Sequence, residues 1–114
     1  MRFTKMHGLG NDFVVIDGFS EHIENDRQLA IEMCDRRTGI GADGLVIIQP
    51  SETAEFRMHY INSDGSLAEM CGNGIRCLSR YVYEHGLTDK TEFVVETLGG
   101  LNRQVLRVED GQVI

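Results

Sequence analysis

The stretch CGNGIRCLSRYVYEHG, residues 71–86, has the pattern of an amphipathic helix preceded by a glycine turn. Its apolar residues recur at steps of three and four, which places them on one helical face: Ile75, Leu78, Tyr81 and Val82. Gly86 is the expected stop, because glycine commonly follows a helix C-terminus. We therefore predict one main helix from about residue 74 to Gly86.

The segments around this helix predict strands. Residues 55–62, EFRMHYIN, alternate between apolar and polar side chains, as a half-buried strand does, and this pattern puts Asn62 on the inner face. Further strands are expected at 2–7, 13–16, 45–49, 91–97 and 102–110, and a short helix at 26–36. The sum is an α+β fold, a mixed and mostly antiparallel sheet packed around one main helix, as a single domain over residues 1–114.

The net charge, the apolar runs and the cysteine count exclude some classes of protein. Eighteen acidic and eleven basic residues give a net charge of −7, which disfavours nucleic acid and anionic membrane surfaces as partners. No apolar run approaches the roughly 20 residues that cross a bilayer. We expect a cytoplasmic protein. An odd number of cysteines, Cys34, Cys71 and Cys77, argues against a disulfide framework.

Cys71 is the candidate reactive thiol. It precedes the first helical turn, where unpaired backbone N–H groups and the helix dipole favour a thiolate. Gly72 and Gly74 remove side chains from the turn, so that N–H groups can approach an anion such as a carboxylate, and Asn73 adds a side-chain amide. An ordinary cysteine, with glycines that serve only the turn, explains the same spacing equally well.

The other two cysteines, Cys34 and Cys77, lie in apolar helical patterns, and we interpret them as packing residues. No zinc site is expected, since C-x5-C is not a usual zinc spacing. The segment TGIGADG lacks the lysine and hydroxyl residue that a phosphate-binding loop requires. No histidine is clearly paired with Cys71 as a base.

Four segments together resemble one family. FTKMHGLGNDF (3–13), RRTGIGADGLV (36–46), INSDGS (61–66) and MCGNGIRC (70–77), in this order and at this spacing, resemble the N-terminal half of diaminopimelate epimerase. The resemblance implies a pyridoxal-independent isomerase that needs no cofactor. It also implies two similar α+β domains that face each other across a cleft, each contributing one cysteine. The substrate would be diaminopimelate, an intermediate of lysine and bacterial cell-wall synthesis.

The resemblance assigns roles by motif. Cys71 resembles the acid/base cysteine of the N-terminal half, Asn11 and Asn62 resemble substrate-contacting asparagines, and Gly72 with Asn73 resembles the turn that contacts the substrate carboxylate. Some family members have glutamine where this chain has Gly44, so that side-chain contact is not expected here.

The resemblance also implies that the C-terminal half lies outside these 114 residues. The expected partners are diaminopimelate, the C-terminal domain and a second copy in a homodimer, and we expect no epimerisation by this chain alone. Two alternatives remain: a related racemase or isomerase of the same fold, or an inert isolated domain.

Overall fold

The computed structural model describes residues 1–68 and 71–114 of the chain. A six-stranded sheet has its strands in chain order: β1 (Thr4–Gly8), β2 (Asn11–Asp17), β3 (Gly44–Gln49), β4 (Phe56–Asn62), β5 (Glu92–Thr97) and β6 (Gly100–Val105). Two helices accompany it, α1 (Asp26–Cys34) and α2 (Gly72–Glu84). A small hairpin follows, β7 (Val108–Glu109) and β8 (Gln112–Val113).

The sheet is mixed and mostly antiparallel, which confirms the predicted fold class. The pairs β1–β2, β3–β4 and β5–β6 are antiparallel. The pairs β2–β3 and β4–β5 are parallel, and each is joined through a helix. None of the helices in the described residues is long and apolar enough to span a membrane.

The two helices lie on opposite faces of the sheet because of strand direction. Since β3 and β4 are antiparallel, β2 and β4 run in opposite directions. Crossovers between parallel strands are almost always right-handed. The β2–β3 and β4–β5 crossovers each move to the next strand in the same direction across the sheet. Because β2 and β4 run in opposite directions, a right-handed crossover puts α1 on one face and α2 on the other.

Burial along β2 shows both covered faces. Phe13 and Val15 belong to the core under α2, whereas Val14 and Ile16 belong to the core under α1, and all four are fully buried. The core under α2 is the larger, and it also contains Val46, Ile48, Phe56, Met58, Tyr60, Leu78 and Val82. The predicted main helix is thus α2, which covers the larger core. The shorter helix α1 covers a second core on the other face of the sheet.

Two predicted elements, the short helix at 26–36 and the strand at 102–110, end earlier than the sequence predicts. α1 ends at Cys34 because Asp35 turns to an extended conformation and its carboxylate accepts the N–H groups of Arg37 and Thr38. The predicted strand 102–110 is broken, and its end forms the β7–β8 hairpin. Asp110 and Gly111 form that turn with φ of 51° and 78°, a left-handed pair typical of tight hairpins.

α2 begins two residues earlier than predicted and ends close to the expected stop. Gly86 follows the helix with a left-handed φ of 75°, and its N–H donates to the carbonyl of Tyr83. This helix end confirms the prediction made from Gly86. At the other end, Cys71 precedes the first turn of α2, and the predicted asparagines Asn11 and Asn62 lie at the start of β2 and the end of β4.

Candidate active site

Cys71 is the N-cap residue of α2. Its backbone is extended, with φ −133° and ψ 107°, and its carbonyl accepts the N–H of Ile75 at 2.9 Å. The Cys71 Sγ accepts the N–H of Gly74 at 3.4 Å. The half-buried sulfur is therefore held against the positive end of the helix, as the sequence predicts. Its reactivity remains a prediction.

The two glycines of this turn have different surroundings. A Cβ on Gly74 would lie 3.3 Å from the Cys71 Sγ, so Gly74 allows the sulfur to sit close to the helix backbone. A Cβ on Gly72 would meet nothing within 4 Å, and Gly72 is exposed. The approach of a ligand to the first backbone N–H groups is thus open at Gly72.

Asn11 and Asn73 are brought together by a direct hydrogen bond. The Asn73 amide nitrogen donates to the Asn11 side-chain oxygen at 2.7 Å. Asn73 in turn accepts from Arg76 at 2.6 Å, and Asn11 donates to Asp43 at 3.2 Å. This chain of hydrogen bonds links α2 to the strands beneath it and orients both amides beside the Cys71 turn.

Asn62 is placed differently. It ends β4 on the face of the sheet that carries α2, and it pairs with Gly44 of β3. Its side-chain amide donates to the Ser66 hydroxyl at 3.1 Å, and its backbone N–H donates to the Ser66 carbonyl at 2.8 Å. Within the described ranges, no hydrogen bond joins Asn62 to Cys71, Asn11 or Asn73. In this structure its side chain bonds its own turn, and its substrate contact stays a prediction.

Asn11 is bonded to an ion-pair network that the sequence analysis did not predict. Arg36 contacts both carboxylate oxygens of Asp12, at 2.9 and 3.1 Å, and also reaches Asp43 at 3.2 Å. The Arg36 hydrogen bond, aided by Lys5, holds the pKa of Asp12 well below its usual range. The only sequence signal was that Asp12, Arg36 and Asp43 fall in two of the quoted motifs.

Cys34 and Cys77 are packing residues, as predicted. Their side chains are 2% and 4% exposed, one in each core. Burial raises the pKa of Cys34 to about 11 and also raises that of Cys77. Both thiols are therefore neutral at ordinary pH, and all three cysteines are free.

A cleft of about 780 Å³ runs beside α2 rather than over Cys71. It lies between the β1–β2 turn, the exposed side of α2 and β6. Gly72 is the one predicted site residue on its border. Its rim carries exposed apolar side chains, Leu9, Val105 and Ile114. Among residues 1–68 and 71–114, no cluster of three potential metal ligands occurs.

Solved structures share this fold at low sequence identity. A hydroxyproline epimerase from Agrobacterium vitis, solved with bound trans-4-OH-L-proline, matches with a TM-score of 0.80 at 18% identity, over 97% of this chain and 38% of that one. A methylitaconate-delta-isomerase matches with a TM-score of 0.77 at 15% identity, over 97% and 61%. The mixed sheet with one helix on each face thus places the chain in the fold class of these structures.

Sequence comparison gives the family within this class. The diaminopimelate epimerase family model matches residues 3–114, and the chain belongs to that family. A diaminopimelate epimerase of Acetivibrio thermocellus is 54% identical over 112 residues, which are 98% of this chain and 40% of the relative. One from Methanococcus maripaludis is 50% identical over 114 residues, 100% and 41%. The chain spans about 40% of the length of these curated relatives.

Proposed function

We propose that this chain supplies half of the active site of a diaminopimelate epimerase, with Cys71 as its acid/base. The observation that carries the proposal is the position of the Cys71 sulfur, at the start of α2 and beside an exposed glycine turn. A cysteine thiolate at this place can remove a proton from a bound substrate. The names of the similar relatives supply the substrate, diaminopimelate.

The reaction requires a second thiol. The Cys71 thiolate takes the α-proton from one face of the substrate and becomes a thiol. A thiol on the opposite face gives its proton to the α-carbon and becomes a thiolate. Cys34 and Cys77 are buried in the cores and cannot reach such a substrate, so the partner thiol belongs to the remaining part of the longer relatives.

The backbone N–H groups at Gly72 and Asn73 would bind the substrate α-carboxylate. Negative charge develops next to this carboxylate as the proton leaves, and fixed donors aimed at it stabilise the transition state. The exposed backbone at Gly72 and the oriented amide of Asn73 support this role. Asn11 would contact the substrate from β2, and Asn62 would do so after exchanging its Ser66 bond for one to the ligand.

The position of the cleft supports a need for further protein. Cys71 is not among the residues that line the 780 Å³ cleft, whereas proton transfer requires a substrate held within hydrogen-bond reach of the sulfur. The exposed apolar rim formed by Leu9, Val105 and Ile114 suits packing against a C-terminal domain or a second copy. Three free thiols fit the reducing cytoplasm, where we place the protein.

The test compares the 114-residue chain with the same chain joined to the remaining part of the A. thermocellus relative. Deuterium entry at the α-carbon of diaminopimelate in D₂O is followed by NMR. We expect no detectable exchange by the short chain, exchange by the joined protein, and its loss in the Cys71→Ala variant.

Cys34→Ala is the matched control, because it also removes one thiol but from the opposite face of the sheet. The joined Cys34→Ala protein should retain exchange once circular dichroism shows that it is folded. Exchange by the short chain that disappears in Cys71→Ala would overturn the two-thiol mechanism. Exchange by a joined Cys71→Ala protein would overturn the role of Cys71.

A further inference from the structure

Gly44 is required by the position of Tyr60. A Cβ on Gly44 would lie 2.6 Å from Tyr60 Cζ and 2.8 Å from Cε2, and closer still to the hydroxyl oxygen. Real Cβ atoms do not approach other atoms to within 3.0 Å. The Tyr60 phenol therefore occupies the space that a side chain at position 44 would take.

The same edge of the Tyr60 ring also lies near the start of α2. A Cβ on Gly74 would be 3.6 Å from Tyr60 Cδ2 and 3.3 Å from the Cys71 Sγ, so ring and sulfur meet around the same glycine. Tyr60 is 6% exposed, and Phe13 packs edge-on against it with ring centroids 5.9 Å apart. The ring has little freedom to move away from Cys71.

The Tyr60 hydroxyl keeps its proton and can therefore donate a hydrogen bond. Burial is the largest cause that raises the pKa of Tyr60 well above its usual value, and the negative charge of a nearby Cys71 thiolate acts in the same direction. The carboxylate of Asp43, the residue before β3, also raises the pKa of Tyr60. The phenol therefore keeps its proton at any pH at which the domain would work, and it is available to donate to a thiolate.

We propose that Tyr60 is a positioning residue for Cys71, seated in the gap left by Gly44, and that its hydroxyl donates to the Cys71 thiolate. The inference rests on the acid/base role proposed for Cys71. Hydrogen bonds to a charged acceptor are about twice as strong as neutral ones, so this donor would help to hold the thiolate at the helix start.

The test is the rate of Cys71 alkylation by iodoacetamide between pH 6 and pH 10 in the 114-residue chain, with the modified cysteine identified by mass spectrometry. Tyr60→Phe keeps the ring and its packing on Phe13 but removes the hydroxyl. We expect the alkylation curve to move about one unit to higher pH, with roughly tenfold slower reaction at pH 7, since a charge-assisted bond is lost.

Tyr81→Phe is the matched control. Tyr81 is a half-buried tyrosine of α2 that stacks on His85, with ring centroids 3.9 Å apart. It lies nearly three helical turns away from Cys71. Removal of this hydroxyl should leave the Cys71 curve unchanged. If Tyr60→Phe also leaves it unchanged while the domain stays folded, Tyr60 does not act on the thiolate and the inference is wrong.

A second substitution tests the link to Gly44. Gly44→Ala should displace the ring and slow Cys71 alkylation as Tyr60→Phe does. In a Tyr60→Phe background, Gly44→Ala should add little further slowing, because the donor is already absent. Fully additive effects would contradict the inference. Alkylation of Cys71 does not depend on epimerisation. The Tyr60 inference can therefore fail in the alkylation experiment while the proposed epimerase function holds in the deuterium exchange experiment, and the reverse is also possible.

Discussion

The two helices begin with the same geometry but different chemistry. Asn25 caps α1, and its side-chain oxygen accepts the N–H of Gln28 at 3.4 Å. Cys71 caps α2, and its sulfur accepts the N–H of Gly74, also at 3.4 Å. Asparagine is among the best N-cap residues, whereas sulfur is a weak acceptor. At α2, a residue that stabilises the helix less occupies the cap.

The first turns differ in the same way. In α1, Asp26 supplies a negative charge at the positive end of the helix, and its carboxylate pairs with His59 of β4 at 2.6 Å. The first turn of α2 carries no acidic residue, and Gly72 leaves its backbone exposed. One helix satisfies its N-terminus with its own side chains for stability. The other leaves its N-terminus accessible, as a substrate carboxylate would require.

Cys71→Ser gives the largest expected effect, because it keeps a capping side chain and removes the thiol. A serine hydroxyl is not ionised near neutral pH, so we expect exchange by the joined protein to fall by about 10²–10⁴-fold, the typical contribution of a general base. Deuterium entry at the α-carbon measures this loss. Asn25→Ser, the same kind of cap exchange at α1, should leave exchange unchanged. A Cys71→Ser protein within tenfold of the parent would show that the sulfur acts only as a cap.

The second prediction contrasts Cys71 with Cys34, which lies at the opposite end of its helix and is buried. The pKa of Cys34 is raised from 9.0 to about 11. The folded state therefore holds this proton more tightly than the unfolded state does. Its contribution to stability is fully present below pH 9 and is lost as the pH rises to about 11, by about 2–3 kcal/mol.

Urea unfolding measured from pH 8 to pH 11.5 tests this loss. Cys34→Ala should be less stable than the parent at pH 8, because it loses packing, but its stability should fall less steeply with pH. Cys71→Ala, the control, should retain the steep fall. An equally steep fall in Cys34→Ala would mean that other buried groups, such as Cys77 and Tyr60, account for the alkaline loss.

The smallest effects come from the caps themselves. Asn25→Ala should lower the free energy of unfolding by about 1 kcal/mol. Cys71→Ala should lower it by less, roughly 0.5 kcal/mol, and Cys71→Asn should raise it. The three changes are compared by their urea midpoints at pH 7. If Cys71→Ala costs as much as Asn25→Ala, the sulfur is an effective cap and the contrast between the helices has no basis in stability.

The features that sequence reasoning predicted well depend on residues close together in the chain. The periodicity of 75–82 and the stop at Gly86 are local, and so is the placement of Cys71 before the first turn of α2. The β7–β8 hairpin was missed although its Asp-Gly pair is a known turn signal, since a strand pattern was extended through it.

Contacts between distant segments of the chain could not be predicted from local sequence patterns. Nothing in a single sequence pairs Asp12 with Arg36, or Asn11 with Asn73, because either partner could bond water or its own turn. The alternation of residues 55–62 places His59 on the polar face of its strand. In the structure α1 covers this face, and Asp26 of α1 pairs with His59. The contact of Tyr60 with Gly44 depends on the register between β3 and β4, which the strand patterns alone do not determine.

The chain order of the sheet has a consequence for folding. Each strand from β2 to β6 pairs with the strand before it, so the strands can join the sheet in chain order. The two parallel pairs of the sheet join residues 31 positions apart, as Phe13 with Gly44, and 39 positions apart, as Phe56 with Val95. Such non-local pairings are the slower steps of folding, and each waits for the helix between its strands. The sheet can therefore grow in the direction of synthesis, and the Cys71 turn meets Asn11 as soon as α2 docks on the strands already made.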